Sequence, residues 1–138
     1  MTWHYLNQTQ IVTTVPSGMI GFVYLIHDLP NDMLYVGKKL AITTKKMPPL
    51  KGKKNKRLSR IQTDWQDYYG SSQRLNDMIT AFGKDQFTRT ILHWCPNKNT
   101  MSYLEAREQF DRNVLHDARY YNGIIHCRVS ARGLDGKV

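Results

Sequence analysis

The sequence predicts a small α+β protein in which helices flank a mainly antiparallel sheet of three strands. Three observations predict this class. The chain has 138 residues, the length of one domain, and its apolar fraction of 41% suffices for one modest core. Two apolar runs joined by turn residues predict a β-hairpin, and later segments show apolar residues at helical spacing. We therefore treat residues 1–138 as a single domain.

The predicted hairpin lies in residues 21–37, which read GFVYLIHDLPNDMLYVG. GFVYLIH and MLYVGK are rich in β-branched and aromatic residues, and DLPND between them is typical of a turn. Residues 1–18 before it predict an irregular or single-strand lead-in. Residues 39–60 after it predict a long basic loop, which contains the Pro48-Pro49 pair.

Two helices and a further strand follow this loop. Apolar residues recur at helical spacing from Leu75 to Phe82, Gly83 is a stop signal, and Ser71 or Ser72 is a candidate N-cap. QFTRTILHWC then predicts a strand, and TMSYLEAREQFDRNVL predicts a second helix. IIHCRV in the tail predicts a short additional strand. The element order is therefore β-β-α-β-α plus a tail.

Charge is the strongest compositional signal. Twenty Lys and Arg against eleven Asp and Glu give a net charge of +9. From Lys45 to Arg60 the chain has eight basic residues and no acidic one. A polyanion suits such a surface, because neutralised phosphates release counterions; a solvated loop is the alternative. The candidate DNA-binding residues are Lys39, Lys45, Lys46, Lys51, Lys53, Lys54, Lys56, Tyr69 and Ser71.

The aromatic residues after the basic stretch have two interpretations. Trp65, Tyr68 and Tyr69 either stack on nucleic-acid bases or pack the loop onto the domain. No apolar run approaches the ~20 residues that span a bilayer, so we expect no membrane partner. The segment MTWHYLNQTQ lacks the features of a secretory signal, and two cysteines make no disulfide framework. We expect a cytoplasmic protein.

The second helix carries the only two glutamates of the chain. A helical projection places Tyr103, Ala106 and Phe110 on one apolar stripe, which Val114 continues. Leu104 and Leu115 widen this stripe on one side, and Glu108 falls on the margin of the widened stripe, where a carboxylate can be held and still reach a cleft. Glu105 points away from the stripe and is expected to be solvated.

The ordered motifs resemble a known family. Tyr24 closes GFVY, and eleven residues later Tyr35 begins Tyr-Val-Gly; a helix, a strand, a helix with a glutamate and then Asn122 follow. This order resembles the GIY-YIG nuclease superfamily over about residues 20–126, most closely the phage-type homing endonuclease domains. The resemblance implies a GIY-YIG-like fold in which residues 39–60 are an insertion. It also implies a DNA endonuclease of phage or mobile-element origin, acting in a bacterial host.

The resemblance also implies residue roles. Tyr24 and Tyr35 match the tyrosines of the two half-motifs, and Gly37 matches the glycine beside the cleft. Glu108, followed by Gln-Phe, matches the metal-binding glutamate, and Asn122 matches a late supporting asparagine.

The family's catalytic arginine has no direct match, because position 45 is lysine. Arg57 and Arg60 are the candidates, with Arg60 favoured. Lys38 or Lys39, directly after the second half-motif, could share the role.

The expected chemistry is phosphodiester hydrolysis of double-stranded DNA assisted by Mg²⁺ (or Mn²⁺) on Glu108. A hard cation prefers oxygen ligands, keeps several waters and stabilises charge on phosphate. Tyr24 is the expected general base, with its pKa lowered by nearby cations, and Tyr35 its partner. Two alternatives stay open: a catalytically inactive nucleic-acid-binding module on the same fold, and a nuclease directed at RNA. The oligomeric state is also open, and a dimer is compatible with the sequence.

Overall fold

The computed structural model describes residues 2–6 and 11–134, which form an α+β fold with two helices and a mixed sheet. The strands are β1 (Trp3–Tyr5), β2 (Ile11–Val12), β3 (Gly21–Asp28), β4 (Met33–Leu40), β5 (Ile42–Met47), β6 (Arg57–Gln62) and β7 (Phe87–Cys95). The helices are α1 (Gln73–Phe82) and α2 (Lys98–Asp111). Neither of these helices is long and apolar enough to cross a membrane.

The main sheet has five strands in the order β2-β1-β7-β3-β4, so it is larger than the three strands expected. The lead-in supplies the extra two: β1 pairs in parallel with β7, and β2 pairs antiparallel with β1. The fully buried Trp3 anchors β1, because its indole donates a hydrogen bond to the backbone oxygen of Trp65 at 2.8 Å. The strand predicted at IIHCRV is wrong, since those residues have no regular structure.

The predicted hairpin is confirmed as β3 and β4, which pair antiparallel along their whole length. The buried carboxylate of Asp28 organises the turn, accepting hydrogen bonds from the backbone and side-chain nitrogens of Asn31 at 3.1 and 2.9 Å. The hydroxyl of Tyr121 also donates to Asp28, at 2.6 Å. β4 is an edge strand of the five-stranded sheet. The segment around Tyr121 lies beside the free edge of β4, where Tyr120 forms a β-bridge with Leu34.

Residues 42–62 form an antiparallel ribbon of β5 and β6, so the expected long basic loop is wrong. The composition concealed these strands, because lysines and a proline pair are typical of loops. The ribbon forms a two-stranded sheet of its own, separate from the five-stranded sheet. We call residues 42–62 the basic ribbon.

Helix α1 begins and ends as the sequence predicts. Ser72 is its N-cap, with a side-chain oxygen that accepts from the backbone nitrogen of Leu75 at 3.3 Å. Gly83 ends the helix with a φ of +93°, a conformation that favours glycine. Leu75 and Ile79 are the buried positions.

The apolar stripe predicted for α2 is confirmed at Ala106 and Val114, which are buried, and wrong at Tyr103 and Phe110. Tyr103 and Phe110 are 37% and 59% exposed, whereas Met101, Ala106 and Gln109 are buried. The apolar side chains of this helix are spread around it, so the sequence alone does not fix its buried face. This shift decides which glutamate reaches the functional site.

Candidate active site

One pocket collects most of the residues that the tyrosine motifs singled out. It lies beside the edge strand β4 and receives side chains from both hairpin strands, the start of α1, helix α2 and the segment after Tyr121. Its lining residues are Tyr24, Tyr35, Lys38, Ser71, Glu105, Gln109, Asn122, Gly123, Ile124 and His126.

Tyr24 is buried at the base of this pocket, next to Gly37 of β4. The two residues are paired across the hairpin, and a Cβ built on Gly37 would overlap the Tyr24 hydroxyl and stand 2.6 Å from its Cζ. Glycine is therefore required at position 37 for the phenol to lie over the strand. Burial, then the phenols of Tyr68 and Tyr35, raise the pKa of Tyr24 well above its usual value. This direction is opposite to the one a general base requires.

Tyr35 lies diagonally from Tyr24, with ring centroids 6.2 Å apart. Its hydroxyl shares a hydrogen bond of 3.0 Å with the Oγ of Ser71, just before α1. Burial raises the pKa of Tyr35 despite that bond. Both phenols therefore keep their protons at neutral pH, with the Tyr24 hydroxyl hydrogen-bonded to Tyr68 and the Tyr35 hydroxyl to Ser71. Either hydroxyl would exchange that partner to donate to a substrate in the pocket.

Lys38 and Glu105 supply opposite charges to the pocket. The Nζ of Lys38 donates to the Oγ of Ser102 at 2.8 Å and lies 3.9 Å from the Oε1 of Glu105. The side chain of Glu105 is 13% exposed, so the expectation that it is solvated is wrong. Burial raises the pKa of Glu105, and the charges of Lys38 and His126 oppose that rise in part.

Two amides join the pocket to the backbone of β4. Asn122 accepts from the backbone nitrogen of Val36 at 3.0 Å and donates to the oxygen of the same residue at 2.8 Å. The Nε2 of Gln109 donates to that oxygen as well, at 3.1 Å. Within the described part of the chain, the buried Oε1 of Gln109 accepts no hydrogen bond. Asn122 is thus committed to holding its segment against β4, whereas Gln109 retains an unused acceptor.

The structure places Glu108 outside the pocket. Its Oε1 lies 2.8 Å from the Nε2 of His93, and its Oε2 accepts from the Nε of Arg112 at 2.9 Å. Burial alone would raise the pKa of Glu108, but the hydrogen bonds of Arg112 and His93 outweigh it and lower the pKa. Both carboxylate oxygens therefore already have cationic or donor partners.

The two candidate arginines are also outside the pocket. The Nε of Arg57 donates to the backbone oxygen of Pro48 at 3.2 Å, within the basic ribbon. Arg60 lines a separate cleft at the root of the ribbon, together with Lys98 and Thr44. Lys38 is the one Lys or Arg side chain among those lining the pocket in the described residues.

The predicted DNA-binding residues fall into three groups. Six are exposed on the strands and tip of the basic ribbon: Lys45, Lys46, Lys51, Lys53, Lys54 and Lys56. Lys39 instead pairs with Asp64 at 2.7 Å, and Ser71 lines the pocket. Tyr69 and Trp65 are buried, so both pack the domain and neither presents a ring for stacking on bases.

Among the pocket residues that were not candidates from the sequence, three have polar side chains: Glu105, Gln109 and His126. A signal for the first two exists, because Met101, Glu105 and Gln109 recur every four residues and therefore share one helical stripe. His126 had no such signal, since its segment follows no regular element.

Comparison with known proteins agrees with the family that the motifs resemble. A family model described as "Putative endonuclease segE, GIY-YIG domain" matches residues 3–125. No curated protein and no solved structure matches the chain. The matched range includes both tyrosines, the lysine, Glu105 and Asn122 of the pocket. The family model matches far more than half of the chain, and the chain therefore belongs to the GIY-YIG endonucleases.

Proposed function

We propose that this protein is a divalent-metal-dependent endonuclease that hydrolyses phosphodiester bonds of double-stranded DNA. The observation that carries the proposal is the pocket, in which the carboxylate of Glu105, the ammonium of Lys38 and the phenols of Tyr24 and Tyr35 converge. The charge of +9 favours a polyanionic substrate. A homing role and a phage origin, which the resemblance implies, belong to the same proposal.

The pocket suits a hydrated Mg²⁺ or Mn²⁺ held by Glu105, which replaces Glu108 in this role. Within residues 2–6 and 11–134 no three His, Cys, Asp or Glu side chains cluster as a metal site. Mg²⁺ needs no such cluster, because it keeps several waters and binds through one or two carboxylates plus substrate phosphate. Gln109, one turn after Glu105, also lines the pocket and has a buried Oε1 with no hydrogen-bond partner in the described residues, so it would add a second oxygen acceptor near the ion. When bound, the ion acts as a Lewis acid and stabilises the departing oxygen.

The chain's own residues can orient the phosphate. Lys38 offers a positive charge beside Glu105, and it is the pocket's substitute for the missing arginine. Because lysine is a point charge rather than a planar fork, it fixes phosphate orientation less strictly than arginine does. Tyr24 and Tyr35 retain their protons and donate to phosphate oxygens, which adds the directional contacts that lysine lacks.

His126 is the pocket group best suited to take the proton from the attacking water. The raised pKa of Tyr24 argues against the phenol in this role, and Glu105 is assigned to the metal. An unprotonated imidazole nitrogen can accept a proton from water, and histidine is the side chain that most often serves as a general base. His126 is exposed at the pocket, on the segment that Asn122 fixes to β4.

Replacing His126 by glutamine is expected to slow cleavage by about 10²- to 10³-fold, because general bases contribute on that scale. The matched control is His116→Gln, since His116 is exposed outside the pocket and its loss should leave the rate unchanged. In His126→Gly, added imidazole should restore part of the rate. A wild-type rate in His126→Gln would assign the proton transfer to another group.

A plasmid-nicking assay tests the function itself. Supercoiled DNA should be converted to nicked or linear forms with Mg²⁺ and should stay intact with EDTA, because the proposed site needs the metal. An equal concentration of RNA should compete poorly. Binding of the plasmid without cleavage in any divalent metal would favour the inactive binding module, and preferential cleavage of RNA would reassign the substrate.

A further inference from the structure

The basic ribbon is a second surface, separate from the pocket, whose shape suits a particular feature of DNA. Its two strands have six residues each, a length of about 20 Å. A two-stranded ribbon fits the major groove of undistorted B-DNA, which is about 12 Å wide, whereas the minor groove is about 6 Å wide and takes a ribbon only where the duplex is deformed.

The root of the ribbon is fixed to the body of the protein. The backbone nitrogens of Ala41 and Ile42 donate to the oxygen of Ile20 at 2.8 and 3.0 Å. On the returning strand, the backbone nitrogen of Thr63 donates to Ala41 at 2.9 Å, and Trp65 follows fully buried. The ribbon is thus a projection with an anchored base, and its strand residues are mostly exposed.

Cations occupy both faces of the ribbon. Because residues paired across a two-stranded sheet share a face, Lys46 and Arg60 lie on one face and Lys45 and Arg57 on the other. Four further lysines surround the turn at its tip: Lys51, Lys53, Lys54 and Lys56. A ribbon lying flat against DNA needs cations on one face. A ribbon that lies within a groove has phosphates of both DNA strands beside it, one strand next to each face. The cations on both faces of the basic ribbon match this position.

The ribbon root is also close to the pocket along α2. Arg60 and Lys98 line one cleft, and Lys98 begins α2. Glu105 lies seven residues later, hence on the same helical face and roughly 10 Å further along the axis. With α2 parallel to the duplex axis, along which one strand rises about 3.4 Å per nucleotide, that distance corresponds to roughly three nucleotides.

We infer that the basic ribbon enters the major groove of double-stranded DNA. The cleft of Arg60 and Lys98 then binds a backbone phosphate at the edge of that groove. DNA bound in this way places a second phosphate, about three nucleotides away, in the pocket. The inference rests on the proposed endonuclease function and adds the part of the substrate that is recognised. The groove edge carries the base pattern, so the ribbon is the source of sequence preference.

Binding measured in EDTA over a series of salt concentrations tests this inference without cleavage. The ribbon variant is Lys45→Gln/Lys46→Gln/Arg60→Gln. Its matched control, Lys84→Gln/Arg107→Gln/Arg119→Gln, removes the same charge from exposed positions elsewhere. The ribbon variant should bind duplex DNA at least about tenfold more weakly, and its slope against log salt should fall by about 2 to 3. Circular dichroism confirms that both variants are folded.

Competition identifies the groove. Methyl green, which occupies the major groove, should displace the protein, whereas netropsin in the minor groove should not. Equal weakening in the control variant, or displacement by netropsin alone, would overturn the inference. These outcomes are separable from failure of the proposed function, which would appear as normal binding with intact DNA in Mg²⁺.

Discussion

Helix α2 carries the two glutamates of the chain on neighbouring stripes, which we call the pocket face (Glu105) and the outer face (Glu108, beside His93 of β7), and the partners of the two carboxylates differ. On the pocket face, Glu105 has one cation at 3.9 Å and no hydrogen-bond donor close to its carboxylate within the described residues. On the outer face, Glu108 has partners on both oxygens, at 2.8 and 2.9 Å. The pKa of Glu105 is raised and that of Glu108 is lowered.

The difference shows which of the two carboxylates can bind a cation: Glu105 can, whereas both oxygens of Glu108 already have partners. Burial makes the charge of Glu105 costly, so a cation bound there would recover favourable electrostatic energy. Arg112 and His93 already provide that compensation to Glu108, and a metal would have to displace them. The pocket face therefore suits metal binding, and the outer face suits structural pairing between α2 and β7.

The largest expected effect is the loss of the pocket carboxylate. Glu105→Gln should reduce Mg²⁺-dependent cleavage by about 10²- to 10³-fold, because the metal contributes several kcal/mol of charge stabilisation. The matched variant Glu108→Gln should stay within about threefold of wild type, since it lies outside the pocket. Single-turnover plasmid cleavage measures both. The reverse order of losses would return the metal to Glu108, as the sequence motif implies.

The next effect separates the cationic neighbours of the two glutamates. Lys38→Met should slow cleavage by about 10- to 100-fold, because it removes the pocket's charge on the phosphate. Arg112→Met removes the partner of Glu108 and should lower thermal stability with little effect on the rate. Rates at saturating enzyme keep weakened binding out of the comparison. A fully active Lys38→Met protein would show that the phosphate is held elsewhere.

The fold could be predicted from the sequence wherever the local signals agreed with the tertiary ones. The hairpin, α1 with its cap at Ser72 and its end at Gly83, and β7 follow from patterns of two and 3.6 residues. A single strand was one of the two expectations for residues 1–18, but the pairing of β1 with β7 could not be predicted, because three residues carry little periodicity and the pairing partner is about 85 positions away. The basic ribbon was hidden by its lysines.

The site divides in the same way. Tyr24, Tyr35, Lys38 and Asn122, which the family resemblance singled out, all line the pocket, and their catalytic roles stay predictions. The choice between Glu105 and Glu108 depended on the rotation of α2, which the spread of its apolar residues left undetermined. That rotation is set by tertiary contacts such as the hydrogen bond from Gln109 to Val36.

The smallest effect is on stability, and it should have opposite signs on the two faces of α2. The raised pKa of Glu105 means that its ionisation destabilises the folded state. This destabilisation is complete at pH values above the pKa in the folded state, and it is absent at pH values below the ordinary glutamate pKa. The lowered pKa of Glu108 means that its ionisation stabilises the fold above the ordinary value, and this is lost as the pH falls through the folded pKa.

In EDTA at neutral pH, Glu105→Gln should therefore raise the melting temperature slightly. Glu108→Gln should lower stability by about 1 kcal/mol. Both differences should shrink as the pH falls towards 3, where the two carboxyls are protonated in the unfolded chain. Thermal unfolding followed by circular dichroism at several pH values measures them, and two variants that shift in the same direction would contradict the contrast between the faces.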